Sequence, residues 1–165
     1  VHLAGRHIGP VYIRTGRPKA PLIYSPSDTF QLGIAKKVAP GSDVTIIANG
    51  LLVWEALVAS EGLHERGISA AVIDLHTLKP IDEAAIVAAA EETGAIVTAE
   101  EHLLSGGLGS RVAQVLSEHH PVPMVSVGIR DTYAESGPAE ELVEKYGLTS
   151  NHIVRAVEAV LKKKK

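Results

Sequence analysis

An α/β fold with three layers, in which helices cover both faces of a mostly parallel five-stranded sheet, is the architecture this sequence predicts. Three observations lead to it. From residue 43 onward, short apolar runs alternate with helical stretches of roughly 10–15 residues. The apolar runs, such as 44–48 and 95–99, lack period-two alternation and so suit strands buried on both faces. Residues 74–109 read as strand, capped helix, strand, and a glycine-rich turn into another helix, which is the repeating unit of such a sheet.

The elements follow in order. Val11, Tyr12 and Ile13 are β-formers placed after a Gly9-Pro10 turn, so they read as a short strand. Residues 15–27 hold three prolines and a glycine and form an irregular connector. Residues 30–38 suit an edge strand, ended by Pro40-Gly41. This divides the chain into residues 1–29, the last strand and connector of a preceding domain; 30–42, a linker strand; and 43–165, the domain proper. The sole methionine is Met124, so Val1 is read as an internal position of a longer or trimmed protein.

Within the domain, strand 44–48 precedes a helix whose face is Val53, Ala56, Leu57, Ser60, Leu63 and His64, stopped by Gly67. Strand 70–75 follows. Asp82 is placed to cap the next helix, with Ile81 and Ile86 as a hydrophobic staple, and Gly94 ends it. Strand 95–99, helix 110–119, strand 123–127 and helix 138–146 come next. Thr149 is placed to cap a final helix with Ile153, Ala156, Val157 and Val160 on its apolar face.

Composition narrows the function. Aromatic residues are only 4%, so the core must rest on Ala, Val, Leu and Ile. A formal charge of −3 speaks against a nucleic-acid partner, which needs concentrated positive charge. The lysines at 162–165 read as a solvated end. No cysteine is present, which removes disulfides, thiolate nucleophiles and cysteine-held metals and suits a reducing cytosol. No apolar run reaches the roughly 18 residues of a membrane span, so a cytoplasmic protein without a membrane partner is expected.

Chemistry-bearing candidates are few. Gly106, Gly107 and Gly109 lead into a helix, where backbone amides can hold an anion. Their spacing matches neither the dinucleotide fingerprint nor the P-loop, and a turn allowing close helix approach is the competing reading. His102, with Glu100 and Glu101, sits at a strand's carboxyl end; without a nucleophile or metal pattern the cluster reads as an anchor or interface. His102, Gly106, Gly107 and Gly109 are therefore carried forward as a candidate interface or anion turn. No histidine shows a metal-ligand spacing. Arg14 and Arg17 flank Thr15-Gly16, and their planar forks suit phosphate or carboxylate oxygens.

Several motifs, in order, resemble one family. Residues 9–18 (GPVYIRTGRP) resemble the segment that closes the pyrimidine-binding domain of transketolase, and Phe30-Gln31-Leu32-Gly33 resembles its linker strand. Residues 74–82 and 100–109 resemble the C-terminal domain of that enzyme, as do 136–142 with Tyr146-Gly147-Leu148. Trp54 departs from the pattern, standing where many relatives carry a smaller or polar residue. The resemblance implies a transferase of the pentose phosphate pathway that moves a two-carbon ketol unit between sugar phosphates with thiamine diphosphate and a divalent metal (Mg). It implies Arg17, with its neighbour Arg14, as contacts to the substrate phosphate. The family's catalytic glutamate and histidines would lie before Val1, so no catalytic residue, metal ligand or bound cofactor is expected in this chain, which alone should be inactive. Its partners would be the diphosphate- and pyrimidine-binding domains or an N-terminal subunit, within a homodimer. Related domains close the beta subunits of 2-oxoacid dehydrogenases and deoxyxylulose-phosphate synthase, and these, or a free-standing anion-binding module, are the alternatives.

Overall fold

Strands β2 (Val44–Ala48) and β3 (Ala70–Asp74) have every residue buried, so helices must cover the sheet above and below. The computed structural model, which describes residues 1–16 and 19–164, shows that arrangement. With β1 (Lys36–Ala39), β4 (Ile96–Leu103) and β5 (Met124–Ile129) the strand order is β1-β3-β2-β4-β5. The four strands from β3 to β5 run parallel, and β1 is an antiparallel edge paired with β3.

Each face has its own aliphatic core. Helices α2 (Leu52–His64) and α6 (Ser150–Leu161) cover one face, packing Leu52, Leu63, Ile153 and Val157 on Val44, Ile46 and Val97. Helices α3 (Glu83–Thr93) and α4 (Leu108–His119) cover the other, packing Ile86, Leu108 and Val112 on Ile47, Ile73 and Ile96. Each such side chain contributes roughly 1.5–3 kcal/mol on burial, so the two cores hold the fold without aromatic help. The predicted face of the last helix is buried as expected.

Asp82 caps α3 through Oδ1, which accepts from the Ala85 amide at 3.0 Å. Its second oxygen does something the sequence did not suggest: Oδ2 accepts from the Ala35 amide at 2.7 Å, tying the linker to the helix start. This moves the edge strand. Residues 30–35 leave the sheet to cross the 76–82 loop, so pairing begins at Lys36 and not at Phe30. The crossing is close: Gly33 has φ +80°, and a Cβ there would stand 3.0 Å from Pro80 Cγ.

Other boundaries shift for identifiable reasons. Residues 11–13 form no strand and stay exposed, because no described strand offers them a ladder. A short helix α1 (His2–Arg6), not foreseen, precedes them. Strand β4 runs on to Leu103, past the expected end at Ala99, and takes Glu100 to His102 into the strand. Helix α5 (Ala139–Lys145) lies within the expected span. Thr149 occupies the N-cap position of α6, yet its hydroxyl is hydrogen-bonded to His152 Nδ1 at 2.8 Å. The helix start is held from outside, by Glu55 Oε2 accepting from the Ser150 amide at 2.6 Å.

The double role of Asp82 is testable by denaturant unfolding. Asp82→Ala loses both bonds and should destabilise the chain by about 1–3 kcal/mol, whereas Asp82→Asn, still a good cap, should lose less than half of that. Equal losses from both variants would contradict the two-oxygen role.

Candidate functional site at the carboxyl edge of the sheet

In an open parallel sheet, the strand ends at the carboxyl edge are where loops converge and ligands meet the chain. Here the N-terminal arm lies along that edge. Arg14 Nη2 donates to the Glu101 carbonyl at 2.6 Å, at the end of β4. Farther along, the Tyr24 hydroxyl donates to Asp74 Oδ2 at 2.5 Å, at the end of β3. Between these two contacts Ile23 packs against the core of the α2–α6 face. Arg17 lies outside the described residues.

The glycine-rich turn is occupied by the chain itself. Glu100, only 1% exposed, accepts from the Leu108 amide through Oε2 at 2.7 Å and from the Gly109 amide through Oε1 at 2.8 Å. A buried carboxylate is tolerable only with such bonds, and the positive end of the α4 dipole adds to them. Gly107 permits the approach, because a Cβ there would overlap Glu100 Oε2. These bonds also explain why α4 begins at Leu108, two residues before the expected start. Gly106 has φ +82° and donates its amide to Ser110 Oγ at 2.9 Å. Gly109 lies against the Thr98 and Ser126 hydroxyls. His102 is exposed, its Nδ1 hydrogen-bonded to the Leu103 carbonyl at 3.0 Å. The amides at the helix start thus already hold an anion, the Glu100 side chain.

A second cluster, around Asp74, went unread in the sequence. The Tyr24 and Phe30 rings meet edge to face at 4.8 Å, and Phe30 meets His76 at 5.6 Å. Lys36 Nζ sits 5.0 Å and 4.9 Å from the Tyr24 and Phe30 ring centroids and pairs with Asp28. That ammonium, with the Ser25 amide, holds the Asp28 carboxyl below its ordinary range. Asp74 itself is 6% exposed, and its Oδ1 has no hydrogen-bond partner among the described residues. Burial pushes its carboxyl up, against the opposing pull of the Tyr24 hydroxyl and of the His76 and Lys36 charges. The Tyr24 hydroxyl is also raised, first by burial and then by Asp74. The sequence signal was an acidic residue ending an otherwise apolar strand.

No group of three or more His, Cys, Asp or Glu among the described residues could hold a metal ion. No described helix is long and apolar enough to cross a membrane.

Residues 33–153 match the family model described as transketolase, C-terminal domain. The chain belongs to the transketolase family. A 6-deoxy-6-sulfo-D-fructose transketolase subunit of Clostridium sp. (strain MSTE9) is 49% identical over 96% of this chain and 49% of its own length. An apulose-4-phosphate transketolase subunit of Phocaeicola vulgatus is 44% identical over 93% of this chain and 49% of its own. Among solved structures, a split-gene transketolase in the form of an inactive beta4 tetramer is 49% identical, with TM-score 0.92 over 95% of this chain and 52% of that one. The transketolase of Leishmania mexicana, 21% identical with TM-score 0.60 over 79% of this chain and 18% of its own, shares the fold. This transketolase domain therefore spans about half the length of the Clostridium and Phocaeicola subunits that it matches.

Two outcomes follow from the geometry. Gly107→Ala should force Glu100 away from the α4 amides and destabilise the domain by about 1–3 kcal/mol in thermal or denaturant unfolding, and a neutral Gly107→Ala would contradict the close approach. For Asp74, the folded-state pKa lies above the ordinary 3.8, so the folded chain holds the extra proton between the two values and stability falls as pH rises through that window. Asp74→Asn should remove this slope. Parallel stability–pH curves for wild type and Asp74→Asn would contradict it.

Proposed function

We propose that this chain is the C-terminal part of a transketolase that transfers a two-carbon ketol unit between sugar phosphates, in the form divided between two subunits. The observation that carries this is 49% identity across 96% of the chain to a subunit named as a 6-deoxy-6-sulfo-D-fructose transketolase, over a fold whose N-terminal arm lies along the carboxyl edge. In this reading the protein works in the cytoplasm, pairs with an N-terminal subunit and associates with a second copy of itself.

Thiamine diphosphate and its divalent metal supply the carbanion chemistry of the proposed reaction. The described residues do not fit that group. The amides that would cradle a diphosphate at the start of α4 are taken by Glu100, and no carboxylate–histidine cluster of metal-holding size accompanies them among the described residues. The cofactor is accordingly assigned to the partner domains, and no step is built on residues of this chain. The turn at Gly106, Gly107 and Gly109, with the exposed His102 beside it, is assigned to contact with those domains.

What this chain contributes to substrate is the arm. Arg14 and Arg17 are assigned to the anionic end of the sugar, where planar guanidinium forks engage two oxygens at once. The two similar subunits are named for sugars ending in a sulfonate and in a phosphate, both tetrahedral oxyanions. The same forks can serve either.

In the reassembled enzyme, Arg17→Ala should raise KM for phosphorylated sugars by an amount equivalent to about 1.5–3 kcal/mol, with an unphosphorylated sugar hardly affected. A loss equal on both substrates would put Arg17 in the scaffold. Isothermal titration of the isolated chain should show no micromolar binding of thiamine diphosphate; such binding would refute the assignment of the cofactor to the partner domains.

A further inference from the structure

We propose that Tyr24 and Asp74 form a latch that positions the arm, and with it Arg14, for the anionic end of the substrate. The proposal rests on the transketolase reading above and deepens it, since it concerns how the same site is held. Both residues are positioning residues, acting through the arm and not on the substrate.

The reasoning starts from what Asp74 gives up. A carboxylate at the end of a buried strand loses its hydration, and structure alone would be better served there by an apolar side chain. Asp74 is nonetheless 6% exposed, with the Tyr24 hydroxyl at 2.5 Å as the donor to Oδ2 and no partner for Oδ1 among the described residues. Its one described side-chain partner comes from the arm, 50 positions away in sequence. An apolar contact would hold the arm by area and let it slide, whereas one directional bond to a fixed carboxylate sets its register. Tyr24 follows Arg14 by ten residues, so an anchor at Tyr24 limits where Arg14 can reach.

The surroundings stiffen the latch. Phe30 braces the Tyr24 ring at 4.8 Å, with His76 behind Phe30. Lys36 lies against both rings and holds Asp28 of the same arm. Around Asp74 the charged and titratable groups are thus Tyr24 and Asp28 from the arm, Lys36 from β1 and His76 from the loop after β3. The cations favour the carboxylate, which strengthens its bond to the hydroxyl. At the other end of the arm, Arg14 touches the Glu101 carbonyl, so displacement at Tyr24 is transmitted to a segment already seated at a strand end.

The test uses the enzyme reassembled from this chain and the diphosphate- and pyrimidine-binding domains. Tyr24→Phe should raise KM for a phosphorylated substrate about tenfold, with kcat and the KM of an unphosphorylated analogue little changed. It should also speed hydrogen exchange of the arm amides between residues 9 and 27. Asp74→Asn keeps an acceptor for the hydroxyl and should retain most of the wild-type KM and arm protection. In an Arg14→Ala/Arg17→Ala background, Tyr24→Phe should add nothing to KM. Unchanged arm exchange, or faster exchange without a phosphate-selective KM effect, overturns the latch. If the arginine variant discriminates between the two substrates and Tyr24→Phe does not, the latch alone fails. If the arginine variant treats both substrates alike, the anion reading of the arm fails, and the positioning role falls with it.

Discussion

The bond on which the carboxyl edge depends is the one between Glu100 and the start of α4. A carboxylate buried to 1% exposure would be costly alone, and two amide donors at 2.7 Å and 2.8 Å, aligned with the helix dipole, offset that cost. The requirement runs both ways. The helix needs its first amides satisfied, and the carboxylate needs donors that only a helix start or a turn can aim together. Gly107 makes room by having no Cβ, and β4 is prolonged until Glu100 lies beneath the helix. The same device recurs with Asp82 under α3 and Glu55 beside α6.

This internal use of carboxylates shapes the functional reading. The starts of α3, α4 and α6 are already met by the chain's own carboxylates. The guanidinium described at these strand ends is that of Arg14, on the arm. The arm is joined to the domain by polar ties of fixed direction: Tyr24 to Asp74, Lys36 to Asp28, and the Ala35 amide to Asp82. Ties of this kind set position more than they add stability, which suits the role proposed for the arm.

The fold was legible in the sequence because parallel strands buried on both faces leave continuous apolar runs, and Val44, Ile46 and Ile47 or Ala95, Ile96 and Val97 could hardly be read otherwise. Asp82 was legible as a cap because capping is local in sequence. Its bond to Ala35 was not, since 47 residues separate the pair. Glu100 was seen as polar at a strand end, but nothing local tells that its carboxylate turns back under the following helix. Val11 to Ile13 carried the propensity of a strand without the partner that would make one. The bond between Tyr24 and Asp74 was invisible for the plainest reason: a long-range hydrogen bond leaves no periodicity. Family likeness rested on motifs at the same strand ends, which is why it identified the domain more readily than residue-by-residue chemistry did.

The most direct measurement is ketol transfer as this chain is titrated into the remainder of the enzyme, the diphosphate- and pyrimidine-binding domains together, with thiamine diphosphate and magnesium present. Neither part should turn over a sugar phosphate alone, and activity should rise to a plateau at equal amounts of the two. Turnover by this chain alone, or none at any ratio, would contradict its assignment as the non-catalytic part of a divided transketolase.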